Sequence, residues 1–198
     1  MRDILSTLNL QALATTQVAA FTTDQVVALL STQVSYLTTL QAAGLTTTQV
    51  IAVSTTQVQS LTTLQVVGLR TAQVAAFTTE QIVALTTTQV ANLSTANAYA
   101  LTTNQIAAIE TTDLKVMSTD QLLGLSSSQV QALSTAQIVK LTSVQLGGLS
   151  NAAVAALTSN QLSVLTATEL NLLDVASVSG LTGSQVIGLT TTQTSGLS

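Results

Sequence analysis

The apolar positions of this 198-residue chain fall on a period of eight. From Leu5 to Leu197 every eighth residue is apolar, and no insertion breaks the register. One octad, lettered a to h, reads Leu45-Thr46-Thr47-Thr48-Gln49-Val50-Ile51-Ala52. A second apolar position stands at f, and b is Ser or Thr in most copies. A fixed period of this kind marks an array of one small structural unit rather than an ordinary globular sequence. A single long helix is excluded. Eight residues at about 100° each advance roughly 800°, so the a positions would drift by about 80° per octad and wrap the whole surface. The seven- and eleven-residue periods of coiled coils are also absent.

The octad reads instead as a helix start written repeatedly. Ser or Thr at b and Gln at e have the spacing of a capping box: the hydroxyl accepts from the amide three residues on, and the Gln side chain returns to the cap amide. Thr46 with Gln49 and Thr86 with Gln89 are examples. Position a precedes the cap and f lies at the fourth helical residue, which is a hydrophobic staple. It pairs Leu45 with Val50 and Leu85 with Val90. At Ala14, Leu30, Arg70 and Glu110 position b cannot cap well, and the next residue is Thr15, Ser31, Thr71 or Thr111. The cap is expected to move one place there. Where Gln is missing at e, Asn97, Asp113 and Glu169 offer an alternative acceptor, whereas Ala153 cannot.

The predicted fold is therefore all-α: a solenoid of capped helices about two turns long, with almost no loop between them. Such helices are unstable alone and must be held by stacking. Small residues at h, among them Gly44, Gly68, Gly124, Gly148 and Gly188, would allow close approach or supply the helix exit. Leu37-Thr38-Thr39-Leu40-Gln41 recurs three octads on, as Leu61-Thr62-Thr63-Leu64-Gln65, which favours three octads per superhelical turn. Phe21-Thr22-Thr23-Asp24-Gln25 recurs only after seven, as Phe77-Thr78-Thr79-Glu80-Gln81. The alternative is a β-solenoid, since Thr and Val favour strands. Against it, a and f are separated by odd spacings, which would put half the apolar residues on the wrong face of a strand.

Composition narrows the function classes. Charged residues make up 6% of the chain, the net charge is −4, and Pro, Cys, Trp and His are all absent. The four cations, Arg2, Arg70, Lys115 and Lys140, are far apart in sequence. Nucleic-acid backbones call for clustered cations, so nucleic acid is not an expected partner. The longest apolar run, Ala152 to Leu157, is far below the roughly 20 residues of a membrane span. Met1-Arg2-Asp3-Ile4 runs straight into the octads without the apolar segment of a signal peptide.

No catalytic constellation is apparent. Without His, and with neither lysine in a Ser-x-x-Lys context, the many serines lack a base. Zinc lacks its Cys and His ligands, and no Gly-turned carboxylate loop suits calcium. No enzyme activity, cofactor, metal or small-molecule substrate is expected. The whole of residues 1–198 is expected to form one array, irregular over 97–120 and 151–180. The first of these windows holds Glu110, Asp113, Lys115 and Asp120 and is the candidate partner contact. Ser198 falls where a further cap would begin, as in an array cut from a longer one.

Two resemblances add to this. Phe21-Thr22-Thr23-Asp24-Gln25-Val26-Val27-Ala28-Leu29 looks like the opening helix of a TAL-effector DNA-binding repeat. The longer period, base-reading dipeptide and basic character of that family are missing, so DNA recognition is not implied. The Leu-Thr-Thr-x-Gln-Val-x-Ala octads resemble low-complexity repeat tracts of large bacterial secreted and cell-surface proteins. That resemblance implies a non-catalytic stalk, spacer or filament-forming segment, extracellular or on the cell surface. Unfinished solenoid ends would then stack end to end as a homo-oligomer or filament. The alternatives are a surface for a repetitive ligand such as ice or a polysaccharide, and a helical adaptor docking a protein through 97–120.

Overall fold

Among the described residues an octad builds one short helix because its backbone alternates between two states. At a and b the chain is extended: Leu45 has φ −59°, ψ 141° and Thr46 has φ −73°, ψ 159°. From c onward it is helical, as in Thr39–Gly44, Thr47–Ala52, Thr55–Ser60 and Thr63–Gly68. The computed structural model describes residues 7–173 and 178–197, and among these there are 23 α-helices and no strand. The all-α solenoid is the fold, and the β-solenoid is not.

The helices are 4 to 6 residues long, shorter than the two turns expected. Two of every eight residues are spent on the extended entry, which leaves about one and a half turns at 3.6 residues each. Among the described residues no residue has a positive φ and no peptide bond is cis. The glycines at h therefore close their helices in the right-handed region, as at Gly148 (φ −90°, ψ −2°). Their role is close approach. A Cβ built on Gly68 would collide with Thr39 Cγ2, and one on Gly188 would lie 2.6 Å from Ser159 Cβ. At Gly44 the corresponding Thr15 Cβ is 3.5 Å away, an ordinary contact.

The chain forms two compact units, residues 1–101 and 102–198. In each, a helix packs on the helices three octads before and after it. In the first unit Thr39–Gly44 lies between Thr15–Ala19 and Thr63–Gly68, and in the second Ser127–Ala132 lies between Thr103–Ala108 and Asn151–Ala156. The repeat of each unit is thus 24 residues, three octads per turn. The seven-octad recurrence of Phe21 to Gln25 has no counterpart in the packing.

Positions a and f form the core of each unit. Every f residue from Leu10 to Leu170 is at most 3% exposed, and a residues such as Leu45, Leu85 and Leu101 are buried with them. Both members of each expected staple, Leu45 with Val50 and Leu85 with Val90, are buried. Positions b, d and g face outward in most octads, among them Leu40 and Leu64 at d and Val27 and Ile51 at g. In the first unit a small apolar cavity of about 20 Å³ lies among Val26, Val34, Leu37, Ala42, Val50 and neighbours.

Candidate functional site

The most demanding feature of most octads is the glutamine at e, which is polar yet buried from Gln33 onward among the described residues. Gln73 is 0% exposed and Gln41 and Gln65 are each 1% exposed. A buried amide is tolerated only when its hydrogen-bonding groups find partners, and here both ends do. Gln49 Oε1 accepts from the Thr46 backbone amide at 2.7 Å, while the Gln49 backbone amide donates to Thr46 Oγ1 at 3.2 Å. Thr86 and Gln89 repeat this at 2.8 and 3.2 Å. The reciprocal box read from the sequence is therefore present at both.

The other end of the side chain crosses to the preceding turn. Gln49 Nε2 donates to the carbonyls of Ala19 at 3.1 Å and Phe21 at 2.6 Å. Gln65 Nε2 reaches Val34 at 2.9 Å and Leu37 at 2.7 Å, and Gln89 Nε2 reaches Val58 at 2.9 Å and Leu61 at 2.7 Å. In the second unit Gln145 contacts the carbonyls of Leu114 and Met117, and Gln161 those of Val130 and Leu133. These acceptors lie at the helix ends, where four carbonyls have no partner within the helix. One side chain thus caps the start of its own helix and the end of a helix one turn away. Repeated along each unit, the glutamines form a ladder parallel to the stacking direction.

The ladder explains the departures. At Ala14, Leu30 and Arg70 the cap does not move to Thr15, Ser31 or Thr71, contrary to expectation. The N-cap stays at b without a side-chain bond, and Gln17, Gln33 and Gln73 still accept its amide at 2.7 to 2.8 Å. Glu110 likewise remains the N-cap of Thr111–Leu114. At Arg70 the glutamine is fixed from the neighbouring turn, Gln73 Nε2 donating to the carbonyls of Ala42 at 2.9 Å and Leu45 at 2.8 Å, and this holds the register against the better cap residue beside it. Glu169 completes the box through Oε2, 2.7 Å from the Thr166 amide. Asn97 and Asp113, one methylene shorter, complete no box. Asn97 instead donates Nδ2 to the Leu69 carbonyl at 3.0 Å, so it keeps a rung of the ladder and gives up the box. Asp174 to Ser177 lie outside the described residues.

The charged window does not converge on one point. Asp113 is buried at e, whereas Glu110, Lys115 and Asp120 are exposed at b, g and d. Among the described residues no three His, Cys, Asp or Glu side chains gather to hold a metal ion. No described helix is long and apolar enough to cross a membrane. The carboxyl group of Glu80 is held below its ordinary value by hydrogen bonds from its own backbone amide and from the Thr78 and Thr79 hydroxyls, which stabilise the charged form.

Sequence reasoning identified the box but not the rung, because the rung's acceptors are backbone carbonyls that any residue supplies. One signal was available. A capping box accepts Glu as readily as Gln, yet e is Gln in 18 of 24 octads and Glu only at 169. That bias requires a donor, which Glu lacks when ionised.

Comparison with known proteins agrees with the octad architecture. No curated protein matches the chain. A family model described as the ALTTAQ repeat matches residues 4–39, 55–87, 65–95 and 106–143, together more than half of the sequence. The chain belongs to the ALTTAQ repeat family.

Proposed function

We propose that this chain is a non-catalytic structural segment, a stalk, spacer or filament-forming part of a bacterial secreted or cell-surface protein. The observation that carries this reading is the inward-turned ladder. Most of the e-position glutamines are consumed in joining one turn to the next, and the exterior is dominated by Ser and Thr with scattered aliphatic, amide and charged residues. Repetition without insertion suits a part whose length is its function, because turns of one kind add stability by nearest-neighbour stacking. A sequence free of Cys places no reliance on disulfides and fits an extracellular location as well as any other. In this reading the chain has no substrate or cofactor, and its chief partner is another copy of itself met end to end.

Small-angle scattering of dilute protein tests the reading. A compact globule of 198 residues has a radius of gyration of about 16 Å. A spacer gives a value well above that, with a scattering profile of elongated form. A value near 16 Å would overturn the proposal.

A further inference from the structure

Because each turn of the first unit carries three octads, residues 24 apart form rows along its outside. One side differs from the other two. It runs over the stacked helices Thr23–Val27, Thr47–Ala52 and Thr71–Ala76. Its g positions are Val27, Ile51 and Ala75, of which Val27 is 49% and Ile51 51% exposed. The same side carries opposite charges two turns apart. Asp24 stands in the first turn of Thr23–Val27 and Arg70 is the N-cap of Thr71–Ala76, and both are exposed. Two stacking steps of about 8–10 Å hold them roughly 16–20 Å from each other, too far to pair within one chain. Arg70 uses one of its five N–H groups on the Leu45 carbonyl, at 2.9 Å. Among the described residues neither Asp24 nor Arg70 has an ion-pair partner.

We propose that this side pairs with the same side of a second copy, antiparallel, about a two-fold axis along helix Thr47–Ala52. That axis sets Ile51 against Ile51 of the other copy and Val27 against Ala75, large against small. It also sets Asp24 of each copy beside Arg70 of the other, so the charges match at two places. Charge fixes the register. An axis one turn further on, along Thr71–Ala76, would oppose Arg70 to Arg70, and one turn back it would oppose Asp24 to Asp24. The contact is isologous and closes on itself. Three helices about 9 Å long at steps of 8–10 Å cover roughly 250 Å² per copy, against about 800 Å² in a standard complex, so the pairing is weak. It is lateral and independent of the end-to-end meeting proposed above, so either contact can fail without the other.

Sedimentation equilibrium of the full chain at low salt, up to about millimolar concentration, tests it. The parent's average mass should rise with concentration. Asp24→Arg alone and Arg70→Asp alone each bring like charges together at both places. Each should lower the association constant about tenfold, as two exposed pairs turn into two repulsions. Mixed one to one, the two variants should associate with each other as the parent does with itself, because the mixed pair restores opposite charges at both places. Both positions are exposed and Asp is a good N-cap, so the circular dichroism melts of the variants should stay close to the parent's. Ile51→Lys, on the axis, should weaken association at least as much as either reversal. A parent that stays monomeric overturns the inference and leaves the elongated-spacer reading to scattering. So does a mixture no tighter than its components, or association that ignores both reversals and is lost on Leu40→Ser with Leu64→Ser, which would place the contact on another side.

Discussion

Replacing Gln65 by Glu separates the two tasks of one side chain. Gln65 is 1% exposed. Its Oε1 receives the Thr62 amide at 2.7 Å, and its Nε2 donates at 2.9 and 2.7 Å to the carbonyls of Val34 and Leu37. Glu retains the first bond and loses the other two. Two lost bonds remove about 2 kcal/mol at roughly 1 each. An ionised carboxylate placed against two carbonyl oxygens, with no cation to pair with, adds a further penalty of about 2–3 kcal/mol. A total near 4–5 kcal/mol is comparable to the whole stability of a small domain. Urea denaturation followed by circular dichroism should therefore show a large loss at pH 7. The pH dependence carries the sign. Burial raises the folded-state pKa of the introduced carboxyl above its unfolded value of about 4.3. The variant is then most stable below that value, where the protonated acid can donate one bond, and it loses stability as pH rises through the raised folded value. Gln65→Leu should be destabilised without this pH dependence. A Gln65→Glu protein as stable as its parent at pH 7, or one whose deficit ignores pH, would refute the ladder.

Glu169→Gln is the converse change, supplying a donor toward the carbonyls of Ile138 and Leu141, and should raise stability by about 1–2 kcal/mol in the same urea assay. Gly68→Ala should cost about 1–3 kcal/mol because its Cβ meets Thr39. Gly44→Ala, with ordinary contact distance to Thr15, should be neutral or gain up to about 1 kcal/mol from helix propensity. Ala42→Val should fill part of the apolar cavity beside it and raise the melting temperature of the first unit modestly, by an amount equivalent to about 0.5–1 kcal/mol. The lowered pKa of Glu80 contributes stability that is present above its unfolded value and lost as pH falls through the folded one. Because Glu80 is fully exposed, Glu80→Gln should only slightly flatten the acid side of a melting-temperature profile.

What the sequence revealed and what it concealed divide along a physical line. Relations within an octad were legible because both partners are side chains at fixed spacing. Thr46 with Gln49 could be read directly, as could the burial of Leu45 and Val50. Relations between turns were legible only as hints. Gln49 finds Phe21, but only through the Phe21 carbonyl, which leaves no mark on residue choice. The Leu37 and Leu61 segments did announce the three-octad turn, since Thr39–Gly44 and Thr63–Gly68 stack directly. The cap shift expected at Ala14, Leu30, Arg70 and Glu110 did not occur, and at Arg70 the reason is visible: local cap preference is worth about 1 kcal/mol. Gln73, anchored there by two bonds to the neighbouring turn, outweighs one hydroxyl.

The 24-residue turn is tested most directly by a disulfide, in a chain that has no cysteine of its own. A Cβ at position 44 would lie 3.5 Å from Thr15 Cβ, within the separation of about 3.5–4.5 Å that a disulfide spans. Thr15→Cys with Gly44→Cys should therefore oxidise readily to an intramolecular bond, measured as loss of free thiol and faster migration on a denaturing gel. Thr23→Cys with Gly44→Cys, one octad out of phase, should retain both thiols under the same conditions. Bridging of 23 to 44 in preference to 15 to 44 would contradict three octads per turn and the glutamine ladder built on it.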